Sequence, residues 1–228
     1  AMLARIVEEG WLVARGVAGL WPARRDADDV VLNAVRIPFL RQQVVKRAGR
    51  ASMCLADFVD TSDDWIGGFA VAIHGIDAHS AAFKASHDDY SDIMLKALAD
   101  RLAEAFAERL HQRVRTDLWG YAPTEALSTE QLIAEQYRGI RPAPGYPACP
   151  DHSVKDDMFR VLQAGDVGMA LTESMAMTPA ASVSGFYMAH PLAAYFNVGR
   201  IGDDQVQDWA QRQQMAVDLA RRRLAPAL

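Results

Sequence analysis

The residues best suited to chemistry gather in one stretch, Arg141-Pro-Ala-Pro-Gly-Tyr-Pro-Ala-Cys-Pro-Asp-His152. Pro142, Pro144 and Pro147 fix φ and remove amide donors, which holds the backbone extended. Gly145 permits a turn or the close approach of a ligand. Arg141 stands at the entrance with a planar guanidinium suited to bidentate recognition of a carboxylate or phosphate. A rigid loop carrying this arginine and Tyr146 fits a small-molecule clamp. It fits a structural crossover loop equally well. The closing Cys149-Pro-Asp-His152 places a thiol, a carboxylate and an imidazole side by side. Metal binding or nucleophilic attack there would need partners from elsewhere, and Cys54 is the only other thiol. A rigid turn into a helix capped by Ser153 is the simpler reading.

Glu108-Arg-Leu-His111 has the spacing that puts a carboxylate and an imidazole on one helix face. Di-iron bundles need two such motifs and two further glutamates. The chain has no second copy, so a solvated helix face is favoured and no metal ligands are assigned. His74, His79 and His87 have no ligand spacing. His87-Asp-Asp-Tyr90 reads as the start of a long helix, and Met175, Met177 and Met188 as core. Neither a Gly-x-Gly-x-x-Gly turn nor a Walker-type loop is present, so common nucleotide-binding folds have no support.

The elements that must position these residues follow from periodicity. The strongest helix spans Ser91 to about Arg115, with Met94, Leu98, Leu102, Phe106, Leu110 and Val114 as its apolar stripe. Asp100, Glu104 and Glu108 form an acidic row beside it. Further helices are expected over Met2–Val13 and Phe39–Ala48, and from Ser128, with Gln131 closing a capping box, to a stop at Gly139. Two more are expected over Ser153–Ala164 and from Asp203 to about Arg223. Gly16–Trp21 with Val30–Leu32 reads as a strand pair, and Ser52–Val59 and Trp65–His74 as buried strands, with Gly67-Gly68 marking a bulge or a close approach. Ala170–Met177 and Ala181–Met188 resemble a hairpin around Thr178-Pro179-Ala180. Strands, helices and strands again without βαβ alternation predict an α+β fold with an antiparallel sheet.

Composition narrows the classes. The chain has 228 residues, half of them hydrophobic, with Lys+Arg 24 against Asp+Glu 29 and a net charge of −5. That balance lacks the cationic excess of a nucleic-acid partner. The longest nearly apolar run, Gly67–Ile76, is far short of the roughly 20 residues that cross a bilayer. Two cysteines fit a reducing compartment, so the chain reads as a soluble cytoplasmic protein or fragment.

The Arg141–His152 segment, preceded by EQYRGI (135–140), resembles the activation domain of cobalamin-dependent methionine synthase. LADFV (55–59), HDDY (87–90), KALADRLAEAFAERLH (96–111), WGYAP (119–123), LTES (171–174) and ASVSGFYMAHP (181–191) resemble it in the same order. The resemblance implies a twisted antiparallel sheet with flanking helices, and a domain that binds S-adenosylmethionine. In that family the ligand remethylates a cobalamin that has oxidised to its inactive state, after a flavodoxin-type reductase supplies an electron. The resemblance makes the chain part of a methyltransferase that is inactive when isolated. It gives Arg141 the ligand's carboxylate, Ala143 and Tyr146 a place along the ligand, and Glu104 and Glu135 its cationic end. Tyr195 and Phe196 become the aromatic pair of the pocket. Asp100, with Asp77, is implied at the contact with a cobalamin-binding domain.

The family's domain ordinarily starts well upstream, with a segment whose aspartate also touches the ligand. Nothing here matches that segment, so residues 1–228 are expected to be one activation domain without it. The cobalamin is expected on a separate module, since no cobalamin signature is present. The competing expectation is a non-catalytic partner of a corrinoid protein with weakened S-adenosylmethionine affinity.

Overall fold

The computed structural model describes residues 2–47 and 49–228. In chain order the elements are α1 (Met2–Glu8), β1 (Val13–Asp26), β2 (Asp29–Leu32), β3 (Val35–Pro38), β4 (Asp64–His74), α2 (Ile76–Ala85) and α3 (Asp89–Arg113). They continue through α4 (Thr129–Ile133), α5 (Val154–Leu162), β5 (Ala170–Leu171), β6 (Met177–Thr178), β7 (Ser182–Tyr187), α6 (Asp203–Arg212) and α7 (Val217–Arg223). Five strands form an antiparallel sheet in the order β3-β2-β1-β4-β7, and β5 pairs with β6 alone. The α+β fold with an antiparallel sheet is as the sequence predicts.

The sheet is covered on both faces at β4, which is why that strand is apolar from Trp65 to Ile73. Ile66, Ala70 and Ala72 enter one core, with Met158, Phe159 and Leu162 of α5. Phe69, Val71 and Ile73 alternate to the other side, towards Ala99, Ala103 and Ala107 of α3. A strand buried on both faces loses its polar alternation. β4 pairs with β1 without a bulge, so Gly67 and Gly68 serve close approach. A Cβ on Gly67 would lie 2.9 Å from Cβ of Tyr187, and one on Gly68 would lie 3.2 Å from the Trp21 ring.

The structure corrects several expected elements. Residues 39–47 form no helix, and Ala48 lies outside the described residues. Long-range tethers win there: Arg41 pairs with Asp28 and Asp57, and the Gln42 N–H donates to Met53 O at 3.0 Å. Ser52–Val59 is not a strand but carries a short 3-10 turn over Leu55–Phe58, where Asp57 accepts from the Cys54 N–H at 2.9 Å. Its apolar composition reflects burial alone, since Cys54, Leu55 and Ala56 are all enclosed. The first helix ends at Glu8, and Gly10 turns the chain at φ +64°.

The Ser128–Gln131 capping box forms, but α4 stops at Ile133 rather than Gly139. The expected Asp203–Arg223 helix divides into α6 and α7, with Gln214 at positive φ between them. The expected 170–188 hairpin separates, because β7 leaves β6 to pair with β4. The helix α2 has no counterpart among the expected elements. In α3 the buried row is Leu95, Ala99, Ala103, Ala107 and His111, one position past the expected stripe. Alanines bring the helix close to the sheet, while Leu102, Phe106 and Leu110 pack along its flanks.

Among the described residues no helix is long and apolar enough to cross a membrane. Asp29, fully buried at the β1–β2 turn, pairs with Arg36 at 2.8 Å and with Arg212 of α6, which also donates to Phe39 O at 3.2 Å. This ties the C-terminal helices to the sheet edge. Asp29→Asn removes the buried charge that both arginines face, and a loss of about 3 kcal/mol is expected. Urea denaturation of the full chain checks it, and a midpoint equal to the parent's would remove Asp29 from the list of structural anchors.

Candidate functional site

The site forms where the proline-rich loop joins the exposed edge of the sheet. Ile140 exchanges backbone hydrogen bonds with Met188 at 3.0 Å, and Pro142 O accepts from the Phe186 N–H at 2.9 Å. The segment thus extends beside β7 as the fixed φ of its prolines favours, leaving no ladder donor of β7 to water at those positions. Gly185 lets the segment lie close, since a Cβ there would meet Pro142 O at 2.7 Å. The chain then reverses: the Tyr146 N–H donates to Ala143 O, and the Gly145 N–H to Cys149 O. Gly145 has φ +95°, and a Cβ there would fall 2.1 Å from the His152 ring, so turn and close approach are both realised.

A cleft of about 510 Å³ opens between this loop, α3, β7 and the segment 195–197. All seven residues assigned above to the ligand line it: Glu104, Glu135, Arg141, Ala143, Tyr146, Tyr195 and Phe196. They come from α3, from the turn after α4, from the loop and from the C-terminal side of β7. Phe69, Val183 and Asn197 also line the cleft and carried no sequence signal, because the first two look like ordinary strand core. Tyr195 is anchored by the Arg141 backbone, whose N–H donates to its hydroxyl at 3.0 Å. Burial raises the Tyr195 pKa, so the phenol stays protonated near neutral pH.

The Arg141 side chain is tightly held beneath the cleft. One terminal nitrogen donates to Tyr137 Oη at 2.8 Å and to His111 Nδ1 at 3.3 Å, and the other lies 2.6 Å from Glu108 Oε2. Burial by itself would lower the Arg141 pKa, but the Tyr137 and Glu108 oxygens outweigh it and keep it above its ordinary value. Behind this group, Glu125 holds Arg115 in a bidentate pair at 2.8 Å, and the Arg115 guanidinium covers the Tyr137 ring at 4.1 Å. A π-helical turn over Val114–Leu118 continues α3 and carries Arg115 into this buried position.

This corrects the reading of Glu108 and His111 as a solvated face. His111 is fully enclosed, stacked on Tyr187 at 5.1 Å and edge-on to Tyr137 at 5.0 Å. Burial, with Arg115 and Arg141 nearby, drives its pKa down to about 2, so the imidazole is neutral at any ordinary pH. A guanidinium can only donate, so Nδ1 accepts and the proton sits on Nε2, 3.4 Å from Tyr121 Oη.

The other candidates are structural. Burial pushes the Cys54 thiol up to about 12 and the Cys149 thiol higher still, which leaves neither as a nucleophile. The Cys149–His152 turn leads into α5 as expected, but the Ser153 side chain does not cap the helix: Asp151 accepts from Ser153 N–H and Oγ–H at 2.7 and 2.9 Å. Among the described residues no three His, Cys, Asp or Glu side chains converge to hold a metal ion. Asp77 and Asp100 lie outside the first cleft and line a second, of about 560 Å³, with His74 and Lys96.

Comparisons with known proteins give the family and the fold. Residues 1–214 match the family model described as vitamin B12 dependent methionine synthase, activation domain. A crystal structure of the MetH reactivation domain bound to AdoHcy is similar to the chain at 51% identity and a TM-score of 0.96, covering 100% of this chain and 74% of that one. The motifs, the family match and the shared fold thus converge, and the chain belongs to the family of vitamin B12-dependent methionine synthase activation domains.

Proposed function

We propose that the cleft binds S-adenosylmethionine, with Arg141 gripping the ligand's carboxylate. The carrying observation is the mixed character of one lining: a guanidinium, two carboxylates at Glu104 and Glu135, and aromatic faces at Tyr146, Tyr195 and Phe196. S-Adenosylmethionine presents the complementary set, namely a carboxylate, an ammonium, a sulfonium and a flat adenine. The glutamates favour the two cationic groups, and the aromatic rings suit the base. AdoHcy, carried by the similar structure, is what S-adenosylmethionine becomes after giving up its methyl group.

The ligand serves to restore a methyl group to cobalamin, which a separate module of methionine synthase holds and which supplies the methyl acceptor. This chain's residues bind and orient the donor. Tyr146, exposed at the mouth of the cleft, is the aromatic placed to meet the corrin-bearing partner. The second cleft, with Asp77 and Asp100 on its rim, is the surface assigned to the cobalamin-binding domain. A flavodoxin-type reductase supplies the electron. The alternative of a docking module with weakened ligand affinity is not favoured, because every ligand-assigned residue lines one cleft.

Arg141→Ala removes a charge-assisted contact, and the affinity for S-adenosylmethionine is expected to fall at least about tenfold. Calorimetry on the full chain reads this directly, and an unchanged Kd removes Arg141 from the site. A second expectation concerns turnover. Methyl transfer needs a strongly nucleophilic acceptor, and the buried thiols of Cys54 and Cys149 are not one. Proximity alone replaces no missing reactant. The isolated chain should therefore leave homocysteine unmethylated with S-adenosylmethionine bound, and gain transfer only when a reduced cobalamin-binding domain is added. Methionine formed with corrinoid rigorously absent would refute the reading.

A further inference from the structure

The proposed ligand contacts leave the Glu108-x-x-His111 pair unused, although both residues touch Arg141. We propose that this face of α3 is a cradle that sets the direction of the Arg141 guanidinium, making Glu108 and His111 positioning residues for recognition of the ligand's carboxylate. The inference rests on the S-adenosylmethionine reading above and assigns roles to residues that do not line the cleft.

Arginine carries a long stem with large rotamer entropy, and its fork recognises a carboxylate only when its plane is fixed. In this structure the plane is fixed from three sides. Tyr137 Oη and His111 Nδ1 take one terminal nitrogen, and Glu108 Oε2 faces the other. Two of these anchors are themselves packed against further groups. His111 lies between the Tyr187 and Tyr137 rings, and Tyr137 lies under Arg115, which Glu125 locks. A histidine that stays neutral accepts from the guanidinium without repelling it. Residues four and three apart on a helix point the same way, which is why Glu108 and His111 reach one arginine.

A merely structural role for the pair is separable from a positioning role by choice of ligand. Decarboxylated S-adenosylmethionine keeps the adenosine, the sulfonium and the terminal ammonium but offers Arg141 no carboxylate. Calorimetry on the full chain with both compounds is the test. Glu108→Ala and His111→Leu are each expected to weaken S-adenosylmethionine about tenfold and leave the decarboxylated compound unchanged. His111→Asn, whose amide oxygen can stand in for Nδ1, is expected to restore most of the loss. Should His111→Leu fail to fold, the half-buried Glu108 carries the test with Glu108→Ala and Glu108→Gln, the glutamine falling closer to the parent. Equal losses for both compounds, or tighter S-adenosylmethionine binding by Glu108→Ala, would overturn the cradle. Arg141→Ala supplies the control. If it leaves the preference for the carboxylated compound intact, the ligand reading itself fails. If it abolishes that preference while the Glu108 and His111 variants keep it, the ligand reading stands and the cradle falls.

Discussion

The structure depends on β4 being buried on both faces. Between Ile66 and Ile73 this strand gives alternate side chains to opposite sides, Ile66, Ala70 and Ala72 under α5 and Phe69, Val71 and Ile73 under α3. A strand in that position cannot tolerate a register slip, because a shift by one residue would exchange the two sets. The glycines at 67 and 68 complete the arrangement by letting Tyr187 and Trp21 lie against the backbone. Tyr187 then stacks on Phe69 at 4.8 Å and on His111 from α3, so the packing of the central strand reaches the floor of the cleft.

From that frame the site is assembled at a sheet edge. Edge strands expose unpaired backbone groups and are ordinarily shielded. Here the shield is the ligand loop itself, fastened to β7 through Ile140 and Pro142. One set of hydrogen bonds thus protects the edge and fixes Arg141, Ala143 and Tyr146 relative to α3. The segment 195–197 closes the cleft from the other side, tied by the Val198 N–H to Pro147 O at 2.9 Å and by the Tyr195 hydroxyl to Arg141.

Two groups of paired charges inside the protein tie distant segments together. Beneath the cleft, Arg115 and Arg141 flank Tyr137, each with its own glutamate. At the opposite sheet edge, Asp29 is balanced by Arg36 and Arg212. Buried ions are tolerable only when paired and hydrogen-bonded, and such pairs fix geometry more than they add stability. In both places the geometry fixed is long-range: the ligand loop against α3 in one, the C-terminal helices against the sheet in the other.

Much of this was legible in the sequence. The length of α3, the Ser128 capping box, the apolar run of β4 and the proline-rich loop are local signals with local causes, and the quoted motifs specified the family. Periodicity failed where long-range partners decide the backbone. Arg41 draws residues 39–47 out of helix through Asp28 and Asp57, and β7 abandons the nearby β6 for the distant β4. It failed also at Glu108 and His111, because spacing shows that two side chains share a face and not what the face meets. Residues 104, 135, 141 and 195 become neighbours only through the pairing of β7 with β4 and the placement of α3 across them. The sequence by itself determined which chemical groups the protein owns and which family it joins; the tertiary structure alone decided that a guanidinium from a loop would lie against a glutamate and a neutral histidine from a helix, since that contact exists only once both elements pack on the same strand.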